Sequence, residues 1–191
     1  MRRLVFVVVC VSVLAAAGAI GLFALNRYWT HRYDELISRQ STVYRVDERL
    51  VWSVIYEETY FRAWMVGSDA EVGLMQVTPA VAREWARETG LKEFEKQSAE
   101  NVNALLRDPE RNIQIGCWYL EKLRERYHDF AAADAMTLAA YNAGPSRVEE
   151  WTRGVPDASR ITEQEFVASI GIPSTKAYVS SVLARSRKQT R

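Results

Sequence analysis

The feature that most constrains this chain stands at its amino end. Met1-Arg2-Arg3 is followed by an uncharged stretch from Leu4 to Leu25, closed by Asn26-Arg27-Tyr28-Trp29. As a helix, those ~22 residues span roughly 33 Å, enough for the hydrocarbon core of a bilayer. Two arginines ahead of the run, with no acid nearby, orient the amino end toward the cytoplasm, and Tyr28 and Trp29 suit the far interface. A cleavable signal peptide is the alternative, with Ala15-Ala16-Ala17 or Ala17-Gly18-Ala19 as cleavage site. The run is longer than the usual signal core, which favours an anchor. Either way the remainder is exported. The expected location is the cell envelope: held in the cytoplasmic membrane with the folded part outside, or secreted if the segment is cleaved. Residues 1–27 are read as anchor or signal, 28–45 as a stalk or first helix, and 46–188 as the folded domain.

Composition narrows the function. Lys+Arg number 25 and Asp+Glu 24 among 191 residues, for a formal net charge of +1. So even a balance argues against a nucleic-acid partner held by bulk charge. A hydrophobic share of 48% excludes a disordered chain. The two histidines, His31 and His128, are far apart and in no ligand spacing, so no His-built metal site is expected. Cys10 and Cys117 do not make a disulfide framework. Val7-Val8-Val9 before Cys10 lacks the small residue that lipidation sites usually want.

After residue 30 the chain reads as a series of capped helices, with no period-two run long enough for a sheet. Asp47 caps a helix through Glu58. Thr78-Pro79 opens a second helix, ended by Gly90, and Asp108-Pro109 opens a long one carrying Ile113, Leu120, Leu123 and Tyr127. Asp134 begins another that stops at Gly144-Pro145. Thr162-Glu163-Gln164-Glu165 is a capping box. Ser174 or Thr175 opens the last helix, which ends in a basic tail. The class is all-α.

One of these helices carries an acid in an unusual place. With Leu50 at 0°, the apolar residues Leu50, Val51, Val54 and Ile55 average roughly 70°, and Glu58 falls at about 80°. Glu57 falls at about 340°, near the edge of that face. A carboxylate aimed into an apolar face is costly unless neutral or partnered. Desolvation raises its pKa toward what a general acid needs near neutral pH. The alternative is a helix ending at Tyr56 with both glutamates solvated.

The motifs that follow bear on which alternative holds. Glu57-Glu58-Thr59-Tyr60-Phe61 leads to Gly73-Leu74-Met75-Gln76-Val77-Thr78-Pro79, then Asp108-Pro109-Glu110-Arg111-Asn112-Ile113-Gln114-Ile115-Gly116, then Ala140-Tyr141-Asn142-Ala143-Gly144-Pro145, and last Ile172-Pro173 with Tyr178-Val179. In this order they resemble the catalytic domain of the soluble lytic transglycosylase family, a branch of the lysozyme-like superfamily related to goose-type lysozyme. The resemblance covers roughly residues 46–184. It implies a lysozyme-like all-α domain with Glu58 as the catalytic acid. It also implies substrate contacts from Thr59, Met75, Gln76, Tyr141, Asn142 and Tyr178. Met75 is expected as an apolar cleft wall or a core methionine, Gln76 as an amide for sugar groups, and Tyr178 as a hydroxyl reaching the acid. Gly73 is expected to allow a tight bend, and Gly116 a close helix approach. Trp64 is the tryptophan expected at the cleft.

Three departures from the family pattern stand out. Gly67 replaces a Ser common nine residues after the acid, Ala70-Glu71 replaces Gly-Ala, and Ser174-Thr175-Lys176 replaces Glu-Thr-Arg. They bear on the sugar contacts, not on the acid.

The activity that the resemblance implies is cleavage of the β-1,4 bond between N-acetylmuramic acid and N-acetylglucosamine, leaving a 1,6-anhydromuramoyl end. The partners implied are peptidoglycan glycan strands and, through the amino-terminal helix, a membrane. No metal or cofactor is implied. Two alternatives stay open: a hydrolytic muramidase of goose-lysozyme type, with Asp69 or Glu71 holding a water where a solvated loop is the expected place for both, and a non-catalytic membrane-tethered glycan-binding module.

Overall fold

A computed structural model describes residues 1–91 and 97–189. The described residues are helical, with two isolated β-bridges and no strand. They separate into two compact units, Met1–Asp34 and Glu35–Arg191.

The first unit is built on α1 (Arg2–His31). Its most apolar 18-residue window has a mean hydropathy of 2.7 and none of it is buried, so length and composition allow it to cross a membrane. Its branched and aliphatic residues face outward all round, the pattern of a helix whose partner is not its own chain.

The second unit opens within α2 (Asp34–Val43). Ile37, Gln40 and Ser41 are buried there, and Arg39 Nη1 donates to Glu110 Oε1 at 2.9 Å. Within residues 28–45, read as a stalk or first helix, the structure thus places the end of α1 and the packed helix α2. Next comes α3 (Glu48–Thr59), capped by Asp47, whose side chain accepts from the Arg49 N–H. Thr78 caps α4 (Pro79–Glu88), and Asp108 caps α6 (Pro109–Tyr127). Both caps lie where the sequence puts them, because a short acceptor followed by proline satisfies one orphan N–H and removes another. Between them lies α5 (Ala99–Leu106), capped by Ser98, which periodicity missed. Its eight residues are too few for a face to declare itself.

Helix α7 (Ala133–Ala143) is the centre of the unit. Residues 135–140 are all buried; α6, α8 (Pro145–Thr152), α9 (Glu163–Ser169) and α10 (Pro173–Lys188) pack around it. Five alanines among its eleven residues let neighbours approach closely. It starts one residue before Asp134, from an Ala132 that makes no side-chain cap. Gly144-Pro145 ends α7 and also starts α8, since a proline in a first turn lacks only an N–H that has no partner anyway. The capping box at Thr162 and Glu165 forms as read. The last helix opens at Pro173 after Ile172, with no side-chain cap, rather than at Ser174 or Thr175. Thr175 is instead buried, with its hydroxyl donating to Asn142 Oδ1 at 2.7 Å.

Candidate active site

The site forms where α3 runs out. Tyr60 ends the helix in the left-handed region (φ 51°) and Phe61 follows it there (φ 60°). Two such residues in succession turn the chain sharply. An aromatic cluster of Trp52, Tyr56, Tyr60 and Phe61 supports the turn, with ring centroids 5.0–6.5 Å apart. Residues 65–77 then fold into a small looped hairpin. Val72 bridges to both Val66 and Val77, and the Gly73 N–H donates to Met65 O at 2.9 Å.

One buried side chain fastens this hairpin to the core. Asn112 on α6 is fully buried; it accepts from the Met75 N–H at 2.7 Å and donates to Val72 O at 2.7 Å and Leu106 O at 2.9 Å. Gly73 lies against it at φ +78°, where a Cβ would collide with the Asn112 amide and the Leu106 carbonyl. Glycine is required there by conformation and by space. The motif around Asn112 does not by itself assign this residue a role. The available signal was a lone amide in line with Gly116 and Leu120 on a buried helix face.

Glu58 lies in the last turn of α3, facing inward. Its carboxyl is held up at about 7, chiefly by burial, with the Glu71 and Glu57 carboxylates adding to the rise and the Tyr178 hydroxyl opposing it. Tyr178 is buried on α10, the helix packed along α3. Its hydroxyl faces the carboxyl without a well-aligned hydrogen bond to it. Tyr141, at the end of α7, donates its hydroxyl to Met75 O at 2.6 Å. Burial and the neighbouring Glu58 charge keep both phenols well above their ordinary range. They are therefore neutral donors beside the acid, and a neutral Glu58 is a proton donor at neutral pH. Glu58, and not Glu57, thus faces the apolar interior, the direction expected from helical period. Glu57 turns instead to Arg185, at 3.6 Å, and that guanidinium also lies 3.6 Å over the Tyr56 ring.

The remaining candidates divide. Gln76 stays half-buried at the site (φ 47°), its amide donating to Gly73 O at 2.8 Å. Thr59 is buried behind the acid, its hydroxyl donating to Leu74 O at 3.0 Å. Met75 is 0% exposed, and its sulfur fills the space above Gly116. Its side chain is thus a core contact here and not an open cleft wall. Gly116 admits this methionine rather than a second helix. Asn142 is exposed and tied to Thr175. Trp64 is 59% exposed just beyond the turn, whereas Trp85 and Trp118 are buried. Among the described residues, no group of three or more His, Cys, Asp or Glu could hold a metal ion.

Comparison with known proteins agrees with the fold. The chain is 30% identical over 166 residues to the soluble lytic murein transglycosylase of Escherichia coli K12, covering 83% of this chain and 24% of that protein. It is 31% identical over 122 residues to the membrane-bound lytic murein transglycosylase C of Photorhabdus laumondii, covering 62% of this chain and 33% of that protein. The chain thus spans about a quarter to a third of the length of these relatives. The crystal structure of the 70 kDa soluble lytic transglycosylase of E. coli superimposes with a TM-score of 0.68 at 28% identity, over 81% of this chain and 23% of that one. A complex of the 70-kDa soluble lytic transglycosylase with bulgecin A also gives 0.68, at 27% identity over 82% and 24%. Residues 35–163 match the transglycosylase SLT domain model, and the chain belongs to that lysozyme-like family.

Proposed function

We propose that this chain is a peptidoglycan lytic transglycosylase of the cell envelope, with Glu58 as its single acid–base group and residues 1–27 as its membrane anchor. The observation that carries the reading is the inward-facing Glu58, neutral up to about pH 7 and flanked by the Tyr178 and Tyr141 phenols. The names of the relatives, soluble and membrane-bound lytic murein transglycosylases, support the substrate class.

Glu58 gives its proton to the bridging oxygen of the β-1,4 link between N-acetylmuramic acid and N-acetylglucosamine. That bond breaks, and the N-acetylglucosamine leaves with a free 4-hydroxyl. The muramoyl 2-acetamido group stabilises the positive charge at C1. Glu58, now ionised, takes the proton of the muramoyl O6 hydroxyl as that oxygen closes on C1. The product is a 1,6-anhydro ring, no water is consumed, and Glu58 ends protonated as it began. Tyr178 assists by hydrogen bonding to the carboxylate in its ionised interval. Gln76 and Asn142 serve as polar contacts to the glycan, and the exposed Trp64 as a ring platform beside it.

The test is digestion of purified sacculi in oxygen-18 water, read by mass spectrometry. Anhydromuramoyl ends without label are expected. Reducing ends carrying the heavy isotope move the assignment to a hydrolytic muramidase. Full-strength binding with no cleavage moves it to a glycan-binding module.

A further inference from the structure

Two of the departures from the family pattern, Gly67 and Glu71, meet in space. A Cβ on Gly67 would collide with Glu71 Oε2 and stand 2.8 Å from Gln76 Oε1. The Gly67 backbone is not in the left-handed region, so this glycine provides room rather than an unusual turn. The room is filled by the Glu71 carboxylate. Its Oε2 accepts from the Asp69 N–H at 2.8 Å, and its backbone carbonyl accepts from the Gly67 N–H at 2.8 Å. Oε1 has no hydrogen bond among the described residues. Glu71 is half-buried and close enough for Glu58 to feel its charge.

We propose that Gly67 and Glu71 form one coupled unit, in which the Glu71 carboxylate replaces the hydroxyl of the usual serine and accepts a hydrogen bond from an N-acetylated amino sugar bound beside Glu58. This rests on the glycan-cleaving reading above. A carboxylate is an acceptor only, so its partner on the ligand is an acetamido N–H or a hydroxyl. Its charge also favours the proton on Glu58, which is faced by Tyr178 from α10, Tyr141 from α7, and Glu57 from its own helix.

The experiment compares the full chain in detergent with Glu71→Ala, Gly67→Ser and the double variant Gly67→Ser/Glu71→Ala. Each is checked for folding by circular dichroism. On purified sacculi, Glu71→Ala is expected to lose about tenfold in kcat/KM, mostly through KM, as for a lost hydrogen bond to a charged group. Its activity should also fall off at lower pH on the alkaline side, because Glu58 loses a negative neighbour. Gly67→Ser alone is expected to lose a similar amount, since the new side chain displaces the carboxylate. The double variant recovers most of the loss, with the serine hydroxyl in the vacated space. Additive losses, or a fully active Glu71→Ala with an unmoved alkaline limb, overturn the proposal. Calorimetric binding of tri-N-acetylchitotriose in a Glu58→Gln background reads the same coupling without catalysis. A wild type that binds this sugar and shows the coupling, yet leaves sacculi intact, overturns the transglycosylase reading alone. Equal binding by all four proteins overturns the coupling alone.

Discussion

Glu58 binds a proton in the folded protein up to about pH 7, where an ordinary glutamate releases it at 4.5. Between those values the folded state holds more protons than the unfolded chain, so stability falls as pH rises through this window. The loss is at most about 3 kcal/mol, complete above pH 7 and absent below 4.5. Glu58→Gln removes it. The variant is expected to be more stable than wild type in urea at pH 8 and equal to it at pH 4. The same substitution is expected to cost at least about 10²–10⁴-fold in sacculus cleavage, since one group serves both proton transfers. Wild-type turnover should itself decline above about pH 7, as the acid ionises. Glu57→Gln is the control. Its pairing with Arg185 is 3.6 Å long and its side chain 28% exposed, so its loss costs no more than about 1 kcal/mol and leaves most activity. A dead Glu57→Gln beside an active Glu58→Gln would reverse the assignment.

At the scale of elements, the acid is only as well placed as the hairpin opposite it, and that hairpin has no sheet to belong to. It borrows order from α6 through Asn112. Asn112→Ala strands the Met75 N–H and the Leu106 carbonyl in the core and leaves the Val72 carbonyl with only the Val77 N–H. The expected cost is about 2–4 kcal/mol in urea unfolding, together with a loss of activity from displacing Gln76. Gly116→Ala pushes a methyl into the Met75 sulfur and is expected to cost about 1–3 kcal/mol. A second change, Met75→Ala, should relieve part of that strain in a double-mutant cycle. Additive losses would mean that the two residues do not share the space.

The whole molecule joins an apolar helix with no buried face in its central window to a globular unit with a dense core. So large an exposed apolar surface is not stable in water. The full chain is expected to sediment with membranes, to resist high salt and to be released by detergent. In intact spheroplasts, protease should degrade the globular unit from outside. Release by salt alone, or full protection, would exclude an anchor with an external domain.

What the sequence by itself determined was local. The caps at Asp47, Thr78, Asp108 and Thr162 act within three or four residues of themselves, so each start was legible without the fold. The direction of Glu58 followed from helical period alone, because neighbours on one helix share a fixed geometry. Short α5 and the start of α10 were not legible, having too few turns or no side-chain cap to mark them. Tertiary structure alone decided that Asn112 holds Met75 across 37 residues and that Tyr141 reaches Met75 across 66. It alone turned Met75 into the core and brought the Glu71 carboxylate over Gly67. Those outcomes depend on side chains meeting backbone groups of distant segments, and no periodicity along the chain encodes which segments will meet.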